Sequence, residues 1–232
     1  KGGTGKTTVA RIMARLYAAS GALPGSNFTE VGRSDLVAGY VGQTAIKTSE
    51  AVDKTVPGVL FVDEAYSLTP SHSSDFGAEA IATLVKAMED HRHELAVIVA
   101  GYSQEMSGFL KANPGLRSRL KTFIDFPDYA PAELLEIFAS FAGTTGIHLT
   151  DETLEKAEEV FVAAVRSTDF GNARFARSLF ENAYARMATR AAADGDIQMN
   201  ELLELAPEDL EWKRPEIELK DRRIGFGDHD PE

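Results

Sequence analysis

The first half of the chain alternates short apolar stretches with longer amphipathic ones. Short stretches rich in β-branched or aromatic residues predict strands at 27–31, 59–62 and 95–100, with 122–126 as a fourth candidate. Between them, apolar residues recur at three- and four-residue spacing and predict helices at 7–19, 45–56, 77–91 and 104–112. Strands that alternate with helices predict a parallel sheet covered by helices on both faces.

The second half has a helical pattern and no predicted strand. Helices are predicted from Pro131, which can open a helix, through 133–142, and at 151–166, 171–193 and, as a short piece, 208–212. Residues 213–232 are charged and lack periodicity, which predicts a flexible tail. We therefore expect an αβα domain over 1–128, a helical subdomain over 129–212 and a tail over 213–232.

Charge separates the same two halves. The net charge is −12, yet residues 1–128 carry 13 basic and 14 acidic side chains, whereas residues 129–232 carry 11 and 22. Such an acidic chain makes nucleic acid a poor partner. The absence of cysteine excludes disulfides and thiol catalysis, and no apolar run is long enough for a membrane span, so we expect a cytoplasmic protein. The first residue is Lys1 rather than Met, so we expect a fragment.

The chain begins with KGGTGKTT, which fills most of a phosphate-binding loop. Lys6 would neutralise the β- and γ-phosphates of a nucleotide, and the Thr7 hydroxyl would bind Mg²⁺. Backbone groups of the surrounding loop and first helical turn would bind phosphate oxygens: Gly2, Gly3, Thr4, Gly5 and Thr8. The alternatives are a flexible glycine-rich start or a dinucleotide site, and the lysine opposes the second.

Two acids follow the strand predicted at 59–62, at a distance of 57 residues from Lys6 for the first of them. Asp63 would hold Mg²⁺, and Glu64 would act as the general base that polarises the attacking water. Two acids at a solvated strand end are common in proteins, so the pair gains weight only together with the phosphate loop.

Three later features bear on the same chemistry. Arg117 and Arg119 lie on a predicted turn, where either could reach the γ-phosphate of a neighbouring subunit or simply be solvated. Arg174 opens a helix and could contact phosphate, or be an ordinary surface arginine. Tyr40, between Gly39 and Gly42, could be exposed to grip another chain or pack on its own domain.

Seven segments together resemble one subgroup of the AAA+ ATPases: GGTGKTT, DLVAGYVGQTAIKT, GVLFVDEAY, AVIVAGY, NPGLRSRL, IDFPDY and GNARFAR. This subgroup contains red-type rubisco activases, stage V sporulation protein K-like ATPases and EccA ATPases of type VII secretion. The resemblance implies a P-loop NTPase αβα domain, a helical lid, and ring hexamers that bind ATP and Mg²⁺ between subunits and remodel a protein client.

The resemblance also implies roles for the candidate residues. Lys6 and Thr7 match Walker A, and Asp63 and Glu64 match Walker B. Arg119 best matches the arginine finger, with Arg117 as second candidate, and Arg174 matches sensor 2. The pore loop that grips the client corresponds to Tyr40, Val41 and Gly42.

The chain departs from the subgroup in three ways. The central strand that precedes Walker A is absent, Lys1-Gly2 replaces a more rigid start of the loop, and Tyr102 stands where a polar sensor 1 is usual. A missing central strand should cost several kcal/mol or more in unpaired backbone and exposed apolar faces. We therefore expect this fragment alone to fold poorly and bind ATP weakly.

Other functions compete with the ATP-driven remodeller. A nucleotide-gated assembly scaffold would form the ring without threading a client, and a small-molecule P-loop kinase would transfer phosphate to a metabolite. A DNA motor has no basic stripe to support it. The client itself is open among rubisco, a secretion substrate and a spore-assembly factor.

Overall fold

The computed structural model describes residues 2–40, 42–70, 75–167, 170–192 and 203–212. The chain divides into two compact units: the first is Lys1–Tyr129 with Gly171–Ala173, and the second is Ala130–Phe170 with Arg174–Glu232. The predicted tail at 213–232 lies outside the described residues. Within the described ranges, none of the helices combines the length and the apolar character that crossing a bilayer requires.

The first unit has the predicted α/β architecture, with a parallel sheet in which Gly58–Val62 lies between Asn27–Val31 and Leu95–Val99. Register places Phe28 opposite Val59, and Val59 opposite Ala96. A 3₁₀ turn at Ala65–Leu68 follows the second strand. The strands and helices occur in this order: α1 (Lys6–Ala19), β1 (Asn27–Val31), α2 (Arg33–Leu36), α3 (Gln43–Thr55), β2 (Gly58–Val62), α4 (Gly77–Asp90), β3 (Leu95–Val99), α5 (Ser103–Ala112) and α6 (Pro114–Arg119).

Strand β2 is the centre of this unit, and all five of its residues are buried. Its side chains alternate between the two faces of the sheet, as a strand requires. Val59 and Phe61 pack on the side of α1, whereas Leu60 and Val62 pack into the cluster formed by α3 and α4. An uninterrupted apolar strand is therefore explained by helices on both faces.

The prediction of a fourth strand at 122–126 is wrong, because residues 121–130 contain no strand or helix. Among the described residues β3 pairs only with β2, and a groove of about 980 Å³ runs between its other side, α1 and the segment that ends at Phe126. Phe123 and Ile124 are 68% and 57% exposed. A strand needs a neighbour for its backbone groups, and no described residue pairs with this segment as a strand.

The arginine segment predicted as a turn is instead helix α6. Pro114 occupies its first turn, where the missing N–H costs nothing, and the Asn113 side-chain amide donates to the Phe109 carbonyl at 2.8 Å. Leu116 is buried and anchors the helix in the core of the first unit. Six residues are too few to show a helical period in the sequence.

The second unit is mostly helical, but the prediction that it lacks strands is wrong. Its elements are α7 (Pro131–Thr145), β4 (His148–Leu149), α8 (Asp151–Ala164), α9 (Ala173–Ala191) and β5 (Glu204–Leu205). The two short strands pair in parallel, and a 3₁₀ turn at Pro207–Asp209 replaces the helix predicted at 208–212. Two-residue strands carry no periodicity that a sequence pattern can reveal.

Aromatic packing and an ion pair between an exposed arginine and a buried aspartate hold the second unit together. Phe138 meets Phe161 and Phe180 edge to face, at centroid distances of 6.1 and 5.8 Å. Arg190 of α9 binds the carboxylate of Asp209 at 2.9 Å. This carboxylate also accepts from the Ala206 amide, so it closes the last turn onto α9.

Candidate functional site

Helix α1 runs antiparallel to the strands it covers. Ala10 packs on Phe61 towards the carboxyl end of β2, whereas Ala14 packs on Val59, nearer the amino end. The N-terminus of α1, whose first residue is Lys6, therefore lies at the carboxyl edge of the sheet. This edge is where open α/β sheets bind their ligands.

The loop before α1 has the backbone of an anion-binding site. Gly3 and Gly5 have φ of 71° and 84°, and Thr4 between them is buried. A Cβ at Gly5 would lie 3.1 Å from the Tyr129 hydroxyl, so both the conformation and the space require glycine. Alternation of left-handed and ordinary residues makes successive N–H groups converge, and the first turn of α1 adds N–H groups that have no acceptor within the helix. The loop thus forms a cradle that suits a phosphate.

Lys6 stands beside this cradle. Its Nζ donates to the Thr4 hydroxyl at 3.4 Å and lies 6.0 Å from the centroid of the Tyr102 ring. Thr7 follows as the second residue of α1 and is half-buried, and Thr8 is exposed. The structure therefore gathers the glycine loop, the lysine and the two threonines at one helix N-terminus.

The two acids extend from the same edge of the sheet. Asp63 continues the ladder beyond β2, because its N–H donates to the Val31 carbonyl at 2.9 Å. Glu64 has a left-handed backbone, with φ of 48°, and its N–H donates to the Asp63 carboxylate at 3.0 Å. Such strain in a glutamate is uncommon and is typical of functional sites. It directs the chain into the 3₁₀ turn and leaves Glu64 exposed.

A pair of tyrosines connects the lysine to the acids. Tyr102, whose ring faces Lys6, stacks on Tyr66 with a centroid distance of 6.0 Å. Burial raises the pKa of Tyr66 above its usual value, and the negative charge of Glu64 adds to this effect. The Tyr66 hydroxyl therefore keeps its proton to a higher pH than that of a solvated tyrosine. Tyr102, a tyrosine where the subgroup is expected to have a polar sensor 1, thus lies beside Lys6.

These residues fit a nucleoside triphosphate with Mg²⁺. The cradle supplies N–H donors and Lys6 supplies positive charge, both of which suit phosphate oxygens. Mg²⁺ prefers oxygen ligands, and the Thr7 hydroxyl and the Asp63 carboxylate are the oxygen donors that could hold it, in part through water. When bound, the metal would neutralise charge that develops between the β- and γ-phosphates.

The predicted arginines occupy the last turn of α6 and are exposed. The guanidinium of Arg119 donates to the Gly115 carbonyl at 3.1 Å and lies 3.5 Å from the Glu89 carboxylate. Both contacts are local to α6 and α4, so neither joins Arg119 to the phosphate loop. Arg174 is exposed in the first turn of α9, in the second unit, and its approach to phosphate stays a prediction.

The loop that carries Tyr40 is anchored at its base and open at its tip. Buried Thr48 donates to the Leu36 carbonyl at 3.0 Å, and the Ala38 N–H donates to the Thr44 hydroxyl at 3.0 Å. Tyr40 itself is 74% exposed. The alternative, a tyrosine packed on its own domain, is therefore not what the structure shows. Gly42 caps α3 with a φ of 78°, and Val41 lies outside the described residues.

Sequence reasoning missed two residues that touch the phosphate loop. The Tyr129 hydroxyl donates to the Thr4 carbonyl at 3.4 Å, and the Asn172 side-chain amide donates to the Gly2 carbonyl at 3.3 Å. Asn172 could have been noticed, because asparagine is one of the few residues that tolerate the left-handed conformation that it adopts here. Its contact with a residue 170 positions away has no local signal.

Comparison with protein-family models gives two matches that cover most of the chain. Residues 1–128 match the model of the ATPase family associated with various cellular activities, AAA, and residues 130–220 match the AAA lid domain.

Similar proteins include one named for sporulation and one named for a secretion system. Stage V sporulation protein K of Bacillus subtilis (strain 168) is 41% identical over 91% of this chain and 66% of its own length. Protein CbbX of Cereibacter sphaeroides is 40% identical over 91% and 70%. ESX-1 secretion system protein EccA1 of Mycobacterium tuberculosis (strain ATCC 25618 / H37Rv) is 42% identical over 77% and 33%. The chain thus spans from about one third to about 70% of these relatives.

Among solved structures, the AAA domain of FIGL-1 in complex with ADP has a similar fold. The TM-score is 0.61, with 20% sequence identity over 90% of this chain and 66% of that one. At this identity the likeness concerns the fold alone.

Proposed function

Because the chain belongs to the AAA family of ATPases, we propose that it binds and hydrolyses ATP with Mg²⁺ and remodels a protein client as a ring oligomer. The observation that carries the proposal is the arrangement at the carboxyl edge of the sheet. There the glycine cradle and Lys6 stand at the start of α1, and Asp63 and Glu64 follow β2 at the same edge of the sheet, which supports the proposal.

Each residue of this edge has a defined task in the proposed reaction. The N–H groups of the loop, from Gly2 to Gly5, and of the first turn bind phosphate oxygens, while Lys6 neutralises the β- and γ-phosphates. Thr7 and Asp63 hold Mg²⁺. Glu64, exposed beside Asp63, accepts a proton from the attacking water as it approaches the γ-phosphate.

The positive charge that completes the site comes from a second subunit. Arg119 is exposed and its described contacts are local, so in a ring it can be presented to the nucleotide of a neighbour. Arg117, two residues earlier in the same turn of α6, is the second candidate. An arginine finger of this kind contributes roughly 10³–10⁵ in rate. Arg174 of the helical lid reports the state of the nucleotide.

The exposed loop tip is the part that contacts the client. In a hexameric ring, Tyr40 with Val41 and Gly42 would line a central pore, and movement of the loop between nucleotide states would pull a polypeptide segment. The firm base of this loop, formed by Thr44 and Thr48, suits the transmission of such a movement. The names of two relatives refer to sporulation and to a secretion system and name no client, so the client is proposed here only as a protein.

The substitution Tyr40→Ala tests the remodelling function. ATP turnover should change less than about twofold, because the side chain is exposed and makes no part of the nucleotide site. Client-stimulated turnover and client unfolding, followed by fluorescence of a labelled client, should be lost. The matched control is Ile46→Ala, at an exposed apolar residue of α3. Normal remodelling by Tyr40→Ala would contradict the proposal. Wild-type rings whose ATP turnover no client stimulates would instead support the nucleotide-gated scaffold.

A further inference from the structure

Asn172 occupies an unusual place in the first unit. It is fully buried, and its φ of 52° lies in the left-handed region. Asparagine tolerates this conformation better than most residues, but glycine would adopt it without cost. The side chain must therefore do something that glycine cannot.

Both polar atoms of the Asn172 side-chain amide make hydrogen bonds. Its Oδ1 accepts from the Tyr129 N–H at 2.9 Å, and its Nδ2 donates to the Asp128 carboxylate at 2.9 Å and to the Gly2 carbonyl at 3.3 Å. Only this orientation of the amide satisfies all three partners, because two of them are acceptors and one is a donor. A carboxylate of the same shape could satisfy only the Tyr129 N–H.

Asn172 belongs to a larger set of contacts on the phosphate loop. Three successive loop carbonyls accept hydrogen bonds: Gly2 from Asn172 Nδ2 at 3.3 Å, Gly3 from the Ala173 N–H at 3.0 Å, and Thr4 from the Tyr129 hydroxyl at 3.4 Å. All the donors belong to two short segments of the first unit, 128–129 and 171–173. We call these two segments the carbonyl clamp.

The clamp fixes more than the carbonyls. In a trans peptide the C=O of one residue and the N–H of the next point in opposite directions within one rigid plane. Holding the carbonyls of Gly2, Gly3 and Thr4 therefore directs the N–H groups of Gly3, Thr4 and Gly5 to the opposite side of the loop. Gly3 and Gly5 have left-handed backbones, which makes these N–H groups converge.

We propose that Asn172 is a positioning residue for ATP binding, which acts by holding the phosphate loop's carbonyls so that its N–H groups face the phosphates. The inference rests on the proposed function, since it takes this loop to bind ATP. Pre-orientation of the donors removes an ordering cost that the nucleotide would otherwise bear. The chain also enters the second unit directly after Tyr129 and directly after Ala173, so each crossing starts from the clamp.

The sharpest test exchanges one atom. Asn172→Asp keeps the shape and the acceptor for the Tyr129 N–H, but it removes the donor to Gly2 and sets a carboxylate against Asp128. The dissociation constant of ATP with Mg²⁺, measured by titration calorimetry, should rise about tenfold or more. Asn172→Gly, which keeps the backbone conformation and removes the side chain, should raise it similarly.

A double variant separates positioning from stability. In Asn172→Asp with Asp128→Asn, the hydrogen bond between the two side chains is restored with donor and acceptor exchanged, while the Gly2 carbonyl still lacks its donor. The thermal unfolding midpoint should return towards that of the wild type, and the dissociation constant of ATP should stay raised. Thr55→Val is the control, because it removes a buried hydroxyl bond to the Ala51 carbonyl in the same unit, away from the loop.

The outcomes distinguish the two levels of the proposal. Wild-type ATP affinity in Asn172→Asp, or an affinity in the double variant that recovers together with stability, would overturn the positioning role and leave the ATPase proposal intact. Failure of the wild-type chain to bind ATP at all would contradict the proposed function, and the positioning role with it.

Discussion

The phosphate loop and the arginine helix α6 are built in opposite ways. The loop is fixed through its backbone, with carbonyls held by the clamp and with buried Thr4 between two left-handed glycines. Arg119 is exposed and held only by contacts with its own helix and with Glu89 among those described. The proposed phosphate-binding loop is thus fixed within the chain, whereas the proposed arginine finger faces outward. The difference is what the proposed function expects if the arginine of one subunit acts on the nucleotide of another.

The largest effect on ATP turnover should come from removing the outward-facing arginine, Arg119. Arg119→Ala should lower ATP turnover by roughly 10³ or more, because an arginine finger stabilises charge in the transition state. The dissociation constant of ATP should change much less, since the phosphate loop and Lys6 stay intact. Arg117→Ala is the matched control in the same turn of α6, and an equal loss there would assign the finger role to Arg117 instead.

Mixing experiments sharpen the comparison between the phosphate loop and the arginine helix. Arg119→Ala and Glu64→Gln subunits should each be inactive alone. In a mixed ring about a quarter of the sites combine an intact Glu64 with a neighbour's intact Arg119, so turnover should partly recover. Turnover per subunit should also rise with protein concentration. No recovery on mixing, together with concentration-independent turnover, would contradict a shared site.

Glu64→Gln should have the next largest effect. Turnover should fall by roughly 10²–10⁴, because the amide cannot accept the proton of the attacking water. ATP should bind with near wild-type affinity, since Lys6 and the loop are unchanged. Glu50→Gln, at an exposed residue of α3, makes the same chemical change outside the site. Turnover unaffected by Glu64→Gln would remove this residue from the mechanism.

Pairing a further strand with the side of β3 that faces away from β2 should have an intermediate effect on ATP affinity. This side has no strand partner among the described residues, and Phe123 and Ile124 are exposed beside it. A longer form of the chain, with about 40 further residues before Lys1, should bind ATP more tightly by filling the groove with a paired strand. Its unfolding midpoint should rise as well. Equal ATP affinity of the two forms would contradict this explanation.

The smallest predicted effect is on folding stability at alkaline pH. Burial, and then the charge of Glu64, raise the pKa of Tyr66 in the folded protein. Below the usual tyrosine pKa of about 10 both the folded and unfolded states hold the proton, and above it only the unfolded state releases it readily. Stability should therefore fall as the pH rises through the folded pKa. Tyr66→Phe should make this fall shallower in urea unfolding, whereas Tyr184→Phe, at an exposed tyrosine, should not.

Local pattern was enough to predict the elements with strong periodicity. The apolar run of β2 and the stripe of α4 are packed as their sequences indicate. The segment at 122–126 has strand-like composition, but a strand forms only where a neighbour accepts its hydrogen bonds. The role of Asn172 depends on partners 43 to 170 positions away, and no local pattern encodes such contacts.

The central claim is that Lys6 and Asp63 act on one ATP–Mg²⁺ unit. Calorimetric titration of ATP into the wild type, Lys6→Ala, Asp63→Asn and the double variant, with and without Mg²⁺, tests it most directly. We predict that Lys6→Ala raises the dissociation constant about 100-fold and Asp63→Asn abolishes the Mg²⁺ dependence, with non-additive effects in the double variant. Lys54→Ala, which removes an exposed positive charge, should change nothing. ATP affinity that is independent of Lys6, or strictly additive effects, would contradict the account.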